Sequence, residues 1–339
     1  MTTAFVTGGS GFVGNRLIRE LRSRGDAVVA LARSDESARK VERAGAQVVR
    51  GDLGDPEALR DDTREADVVF HAAAKVDEWG RPAEFERVNV EGTKNVLWAA
   101  KHAGVARVVH VSTEAVLLDG GSLVDADETT PYARRPLGWY ARTKRDAERE
   151  VLAANGKDLE TVVVRPRFVW GPGDTTLLPR FTDAVRTGRF RWIGDGRHLT
   201  STTHVANAVH GLLLAADRGR PGEAYFVTDG PPVEFQEMVT RLLATVGLAP
   251  PERRIGRRAA RFLAAVSEGT WMLVNAKRPP PVTRAAVAVL SQPCTLSDEK
   301  ARRELGYEPV IDVDRGLEEL AELNARRRDP ERKGPTAVE

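Results

Sequence analysis

Short apolar runs alternate with amphipathic stretches from the first residues onward. Residues 3–7, 27–32, 46–50, 67–71, 107–112 and 160–165 are Val- and Ala-rich runs, with the length and composition of strands buried on both faces. Between them, 12–24, 35–44, 55–65, 83–103, 139–155 and 176–188 carry apolar residues at helical spacing. In the first of these, Phe12, Val13, Leu17, Ile18 and Leu21 share the side that would pack on a sheet. The alternation predicts an α/β fold, a doubly wound parallel sheet joined by right-handed crossovers. Beyond about residue 170 proline and glycine punctuate the chain, and helices at 235–247 and 257–275 lack regular strand partners. Residues 171–325 are therefore expected to form a smaller mixed α/β lobe for substrate. It would be interleaved with a sheet domain over 1–170 that later segments complete, and 326–339 are expected to be a disordered tail.

The stretch TAFVTGGSGFVGNRL (2–16) places Gly8, Gly11 and Gly14 between the first strand and the first helix. Such spacing alone is weak evidence, but here it follows a strand, opens a helix and begins a βαβ unit. Gly8 permits the tight turn, Gly11 lets the backbone approach a pyrophosphate, and Gly14 lets helix and strand pack closely. The helix N-terminus offers free N–H groups to the phosphates. The expected architecture is thus of the Rossmann type, binding a dinucleotide. At the end of the second strand ALARSD places Arg33 and Ser34, with Asp35 in the cap of the next helix. An acid there would bind the 2′-hydroxyl of NAD, and an arginine suits a 2′-phosphate. NADP(H) is therefore favoured over NAD(H).

GWYARTKRDAE (138–148) sets Tyr140 and Lys144 one helical turn apart. A neighbouring ammonium would lower the phenol toward the working range and make Tyr140 a proton donor or acceptor for a carbonyl or alcohol. The fifth strand ends in HVSTEAV (110–116), delivering Ser112 and Thr113 to the carboxyl edge of the sheet, where a hydroxyl can hold a substrate oxygen opposite Tyr140.

With TGGSGFVG (7–14), GDL (51–53), HAAA (71–74), NVEGT (89–93), STEAV (112–116), YARTK (140–144) and RPRFVWGPGD (165–174) in order, the chain resembles the extended short-chain dehydrogenase/reductase family, within the epimerase/dehydratase superfamily. The resemblance implies roles by position. Phe12 and Val13 join the glycine turn at the cofactor. Asp52 and Leu53 flank the adenine, and Ala72, Ala73 and Ala74 line the cofactor. Asn89 steadies the helix beneath the site. Thr113 polarises the substrate oxygen, Tyr140 is the acid/base, and Lys144 holds the nicotinamide ribose. Pro166 and Phe168 lie beside the nicotinamide. It also implies a homodimer through the helices at 83–103 and 139–155.

Within that family, Thr113-Glu114-Ala115 lacks the second carboxylate of the dehydratases, and Thr200 stands where sugar-nucleotide enzymes carry a diphosphate-clamping arginine, although Arg197 is close by. AAKVDEWG (73–80), RPRFVWGPGD and GDGRHLTSTTHVANAV (194–209) are most similar to the 3β-hydroxysteroid dehydrogenase-like branch, including bacterial 2-alkyl-3-oxoalkanoate reductases and sterol dehydrogenases. The expected function is an NADP(H)-dependent ketoreductase acting on a hydrophobic substrate, either a 3-oxo/3-hydroxy acid or a sterol. A sugar-nucleotide epimerase and a non-catalytic NADP sensor are the alternatives. Trp79, Trp139, Trp192 and Phe190 are candidates to line an apolar pocket, or else core residues. Lys75 is a candidate to meet a substrate carboxylate, and Glu114 and His204 are further substrate-site candidates. No metal ligands are assigned.

Composition limits the partners. The 339 residues are 41% hydrophobic and 29% charged with a net charge of +2, which gives no global attraction to nucleic acid. The basic runs Arg253–Arg261 and Arg326–Arg328 read as solvated faces. One cysteine, Cys294, excludes an internal disulfide framework and fits a cytoplasmic setting. Met1-Thr2-Thr3 has no leader character, and no run of about 20 uncharged apolar residues exists to span a bilayer. RFLAAVSEGTWMLV (261–274), interrupted by Glu268, is expected to be an amphipathic helix packed on the body.

Overall fold

The computed structural model describes residues 1–77, 79–273 and 280–328. The expected strands form as β1 (Thr3–Thr7), β2 (Ala27–Ala32), β3 (Gln47–Arg50), β4 (Val68–His71), β5 (Arg107–Val111) and the strand Glu160–Pro166. A seventh, Glu223–Val227, completes a parallel sheet from the later part of the chain. The spatial order is Glu223–Val227, Glu160–Pro166, β5, β4, β1, β2, β3, with the order reversing beside β1. Ligands bind at the carboxyl edge of such a sheet near that reversal.

Both faces are covered, so alternate strand residues serve two cores. Ala4, Val6, Val162 and Val164 pack with Leu17, Ile18, Leu21 and Leu212 on one face. Phe5, Val69, Val108 and Val163 pack with Leu59, Val96, Leu97 and Val151 on the other. This is why the strands read as continuous apolar runs rather than alternating ones. The flanking helices are α1 (Phe12–Ser23), α2 (Asp35–Arg43), α3 (Pro56–Thr63), α4 (Pro82–Phe85), α5 (Gly92–Ala103) and α6 (Gly138–Ala153). Of the apolar side expected for α1, Leu17, Ile18 and Leu21 enter the core, half-buried Val13 packs at its edge and also meets a cleft, and half-buried Phe12 turns to that cleft. The single helix expected over 83–103 is α4 and α5 joined by a π-helical turn, Glu86–Glu91, where Gly92 N–H bonds to Arg87 O.

The lobe is interleaved with the sheet domain. Its four-stranded mixed sheet runs Val233–Glu234, Leu199–Thr200, Cys294–Leu296, Leu123–Ala126, so one strand comes from within the first 170 residues. Helix Val313–Arg328 extends through Arg326–Arg328, residues that composition assigned to the tail. Leu317 and Leu320 bury one side of it, Arg326 pairs with Glu322, and cations suit a helix C-terminus. The remaining tail, 329–339, lies outside the described residues.

Asp229, just after the seventh strand, ties the lobe to the sheet. Its buried carboxylate accepts from Trp170 Nε1 (2.7 Å), Thr202 Oγ1 (2.7 Å), His204 N (2.5 Å) and Asn207 Nδ2 (2.7 Å). Asn207 in turn accepts from Val310 and Ile311 N–H. Asp229→Ala would leave several buried donors unpaired, so it is expected to cost at least about 3 kcal/mol in denaturant unfolding. A loss below about 1 kcal/mol would show that the junction does not depend on this carboxylate.

Candidate active site

A cleft of about 710 Å³ runs along the carboxyl edge of the sheet. Its walls include the glycine turn, Arg33 and Ser34, Asp52 and Leu53, Ala72–Ala74, Ser112, Thr113, Tyr140, Lys144, Pro166 and Phe168. The structure thus gathers the cofactor and catalytic candidates at one place.

The glycine turn has a physical reason at each end. Gly8 has φ +74, and a Cβ there would stand 2.6 Å from Ala73 N. A Cβ on Gly14 would overlap the Gly8 carbonyl, against which α1 is seated. Gly11 caps α1 with no side-chain hydrogen bond, leaving the first-turn N–H groups directed at the cleft. A turn that side chains cannot fill, beside an open helix N-terminus, fits the pyrophosphate of a dinucleotide.

At the far end Arg33 is exposed on the cleft edge. Ser34, rather than Asp35, caps α2, exchanging bonds with Ser37 (Ser37 N to Ser34 Oγ, 3.2 Å). Asp35 is the first residue of α2 and pairs with Arg50 at 2.5 Å, which turns the nearest acid away. Asp52 accepts from Gly54 N at 2.9 Å, and the Leu53 carbonyl accepts from Asn95 at 2.7 Å.

A buried hydrogen-bond chain holds the floor. Ala73 N–H donates to Thr7 Oγ1 (3.3 Å), which lies 2.7 Å from His71 Nδ1. His71 Nε2 lies 2.9 Å from Thr93 Oγ1, whose proton goes to the Asn89 carbonyl at 2.6 Å. With that proton committed, Thr93 must accept from His71 Nε2–H, and His71 Nδ1 accepts from Thr7. Asn89 then accepts from Lys75 N (2.7 Å) and donates to Thr143 Oγ1 on α6 (3.0 Å). Asn89 thus braces α6 from the π-helical turn.

Thr113 caps a short 3₁₀ turn, accepting from Ala115 N at 3.2 Å and donating to Glu114 Oε2 at 2.7 Å. Glu114 is paired at 2.5 Å with Arg167, a fully buried guanidinium that also bonds Thr200 Oγ1 at 3.2 Å. Thr200 is therefore occupied in holding Arg167. Tyr140 differs from expectation: burial and the Glu114 carboxylate push its pKa well above the ordinary phenol value, with hydrogen bonding to Thr113 opposing. Lys144 donates to Val111 O (2.7 Å) and lies 3.0 Å from His110 Nε2, and burial lowers it to about 8. Its charge acts on the two neighbouring imidazoles rather than on Tyr140. Ser112 is bonded to Glu148, which also accepts from Tyr132 OH (2.6 Å) and Arg165 (2.5 Å), so only the threonine of the Ser-Thr pair stands beside Tyr140.

Arg167 and the Arg165–Glu148 pair were missed from the sequence. Glu148 continues the i, i+4, i+8 face of Tyr140 and Lys144, and Arg165 and Arg167 interrupt a buried run, so both signals were present. Several substrate candidates stand elsewhere. Lys75 Nζ pairs with Asp77 (2.8 Å) and Glu84 (3.3 Å). Trp192 and Phe190 form an edge-to-face aromatic core with Phe235. His204 caps helix Val205–Arg218 and packs on Trp170. Trp79 and Trp139 do not line the cleft. Phe168 does, in a left-handed conformation (φ 47) that is strained for a non-glycine residue.

The sheet order, the glycine turn and the Thr113–Tyr140–Lys144 grouping define the class as an extended short-chain dehydrogenase/reductase. The 3-beta hydroxysteroid dehydrogenase/isomerase family matches residues 5–256, and the chain belongs to that family. It is 49% identical over 316 residues to a 4-hydroxy-2-methyl-3-oxo-4-farnesyl-3,4-dihydroquinoline-1-oxide ketoreductase of Stigmatella aurantiaca, covering 93% of this chain and 95% of that one. It is 39% identical over 328 residues to a 2-alkyl-3-oxoalkanoate reductase of Stenotrophomonas maltophilia (strain K279a), covering 94% and 98%. The solved structure of MoeE5 in complex with UDP-glucose and NAD superposes with a TM-score of 0.75 at 28% identity, covering 96% of this chain and 99% of that one. The protein is a pyridine-nucleotide-dependent oxidoreductase of CH–OH and keto groups.

The buried imidazoles give the site a pH limit. Burial and the Lys144 ammonium lower His71 to about 3 and His110 well below its ordinary value. Both stay neutral in the fold while their unfolded counterparts protonate near pH 6.5, so stability is lost as pH falls below that value. Each contributes a loss of about 1.4 kcal/mol per pH unit. The thermal unfolding midpoint is expected to fall steadily between pH 6.5 and 4.5, as differential scanning fluorimetry would show. A midpoint independent of pH across that range would contradict the assignment.

Proposed function

We propose that the protein is an NADP(H)-dependent ketoreductase that reduces a ketone on a hydrophobic substrate, with Thr113, Tyr140 and Lys144 as its catalytic set. The observation that carries this reading is Tyr140 held as a neutral phenol beside Thr113, in the same cleft as the glycine turn. The nicotinamide supplies the hydride when bound. Tyr140, with its pKa raised, keeps its proton until the substrate oxygen gains negative charge, and then donates it. Thr113, on the same cleft wall as Tyr140, is the hydroxyl assigned to hold the substrate oxygen, and in the free protein it donates to Glu114. Lys144, anchored on Val111 O and lining the same cleft, is assigned to hold the nicotinamide ribose.

Support for a hydrophobic ketone comes from the two ketone-reducing relatives, whose names describe a farnesylated ring and alkylated oxoalkanoates. Thr200, committed to Arg167, leaves no clamp for a diphosphate at that position. The deciding experiment is NADPH oxidation with 3-oxo acids of rising chain length and with UDP- and dTDP-sugars. The specificity constant is expected to rise with length until the pocket fills, since each buried methylene contributes about 0.8 kcal/mol. Tyr140→Phe should lower turnover by about 10² or more while leaving NADPH affinity within a few-fold. A flat chain-length response with efficient turnover of a sugar nucleotide would install the epimerase reading instead.

The NADP(H) preference rests on Arg33, exposed at the cleft edge while Asp35 is drawn to Arg50. A charge-assisted bond to a 2′-phosphate is worth about 1.5–3 kcal/mol. Titration of both cofactors should show tighter NADPH binding in the wild type and loss of that preference in Arg33→Asp. Equal affinities in the wild type would refute it.

A further inference from the structure

His110 stands in β5, buried, and its Nδ1 has no hydrogen-bond partner among the described residues. Its other nitrogen, Nε2, lies 3.0 Å from Lys144 Nζ. Burial lowers Lys144 only to about 8, so at neutral pH it is an ammonium with protons alone to offer. Nε2 must therefore accept. The imidazole is neutral, because burial and the ammonium hold its pKa far down, so its one proton sits on Nδ1. A buried donor without an acceptor costs stability and calls for a reason. Val108 and Val109, the buried residues just before it in the strand, carry no such cost.

The reason lies in how the ammonium is satisfied. Lys144 has three N–H groups. One goes to Val111 O at 2.7 Å and one to His110 Nε2. Both acceptors are held by the sheet, and the His110 ring is packed against that of His71, with centroids 5.1 Å apart. The third N–H has no acceptor among the described residues, and Lys144 lines the cleft together with Thr113 and Tyr140. With one acceptor, the flexible four-carbon stem could swing while keeping its bond. Two acceptors fix both the place of Nζ and the rotation of its protons, so the third N–H is aimed.

We propose that His110 is a positioning residue for the cofactor. By accepting from Lys144 it occupies the second ammonium proton and leaves a single N–H directed at the cleft, for one hydroxyl of the nicotinamide ribose. The inference rests on the assignment of Lys144 to that ribose. Its first test needs no cofactor. Nitrogen NMR of the full chain isotopically labelled at histidine, with signals assigned through His110→Gln, should show His110 near neutral pH protonated on Nδ1 and bare at Nε2. Its Nε2 signal should move in Lys144→Met. The second test is NADPH titration followed by nicotinamide fluorescence. His110→Leu should weaken binding at least about five-fold, the scale of one hydrogen bond to a charged group. Its unfolding midpoint at about pH 5 should be no lower than that of the wild type, because the variant lacks a buried imidazole that is unable to protonate there. A residue with a purely structural role would lose both. His110→Gln, whose amide oxygen can accept from Lys144, should bring NADPH affinity back to within about two-fold of the wild type. Should His110→Leu fold poorly, the NMR signals and the Gln variant decide. An Nε2-protonated His110, wild-type NADPH affinity in His110→Leu, or no recovery in His110→Gln would each overturn the proposal. If Lys144→Met also bound NADPH as the wild type does, the ribose assignment would have failed. If only His110→Leu did, that assignment would stand without the positioning role.

Discussion

One neutral imidazole governs how the site is assembled. His71 sits at the end of β4 with Thr7 at one ring nitrogen and Thr93 at the other. Through them it joins the loop that lines the cofactor cleft to the π-helical turn bearing Asn89, and Asn89 joins that turn to α6. Each hydroxyl in the chain has one proton, so the direction of every bond is settled once Thr93 donates to the Asn89 carbonyl. A protonated His71 would present two donors, and Thr7 could no longer donate to it. The position of Tyr140 and Lys144 relative to the glycine turn therefore depends on a group that touches neither.

Buried charge is paired on both sides of the Thr113–Tyr140–Lys144 grouping. Glu114 with Arg167, and Glu148 with Arg165, are each paired almost completely out of water. Such pairs add little net stability, because desolvation offsets their attraction, but breaking one leaves an uncompensated charge. Their value here is positional. Glu148 fixes Ser112 and Tyr132 beneath the site, and Glu114 fixes the Thr113 hydroxyl and sets the electrostatic environment of Tyr140. The result is a site whose phenol and ammonium are shifted in opposite directions by burial, the tyrosine up and the lysine down.

The sheet was legible in the sequence because its strands are buried on both faces and its helices on one, patterns that local periodicity records. The seventh strand was not, because Glu223–Val227 stands between proline- and glycine-rich segments and finds its partner only through long-range pairing with Val162–Pro166. The residues that line the cleft at the carboxyl edge were legible from motifs whose spacing has a mechanical reason. The substrate candidates were less so: Lys75 and Trp192 have compositions that suit a pocket, but local ion pairs and aromatic packing claimed them first. The direction of the Tyr140 shift depends first on its burial and then on the Glu114 carboxylate, brought near it only by the fold, which no local pattern reports.

The π-helical turn has a consequence for how this chain tolerates length changes. Between Phe85 and Gly92 the backbone is wound wider than an α-helix, with Gly92 reaching back five residues to Arg87. Such a turn holds one residue more than the α-helical path between the same ends. Removing a single residue there would close the helix into one regular rod. The two ends would keep their places, since the α-helical path between them needs one residue fewer, and only the residues of the turn itself would be re-registered. Phe85 and the Val96–Leu97 face would stay in the core, but Asn89, inside the turn, would swing off the line between Lys75 and Thr143. The segment between α4 and α5 is thus a counted spacer, in which a frame-preserving deletion would be as disruptive as losing the asparagine itself.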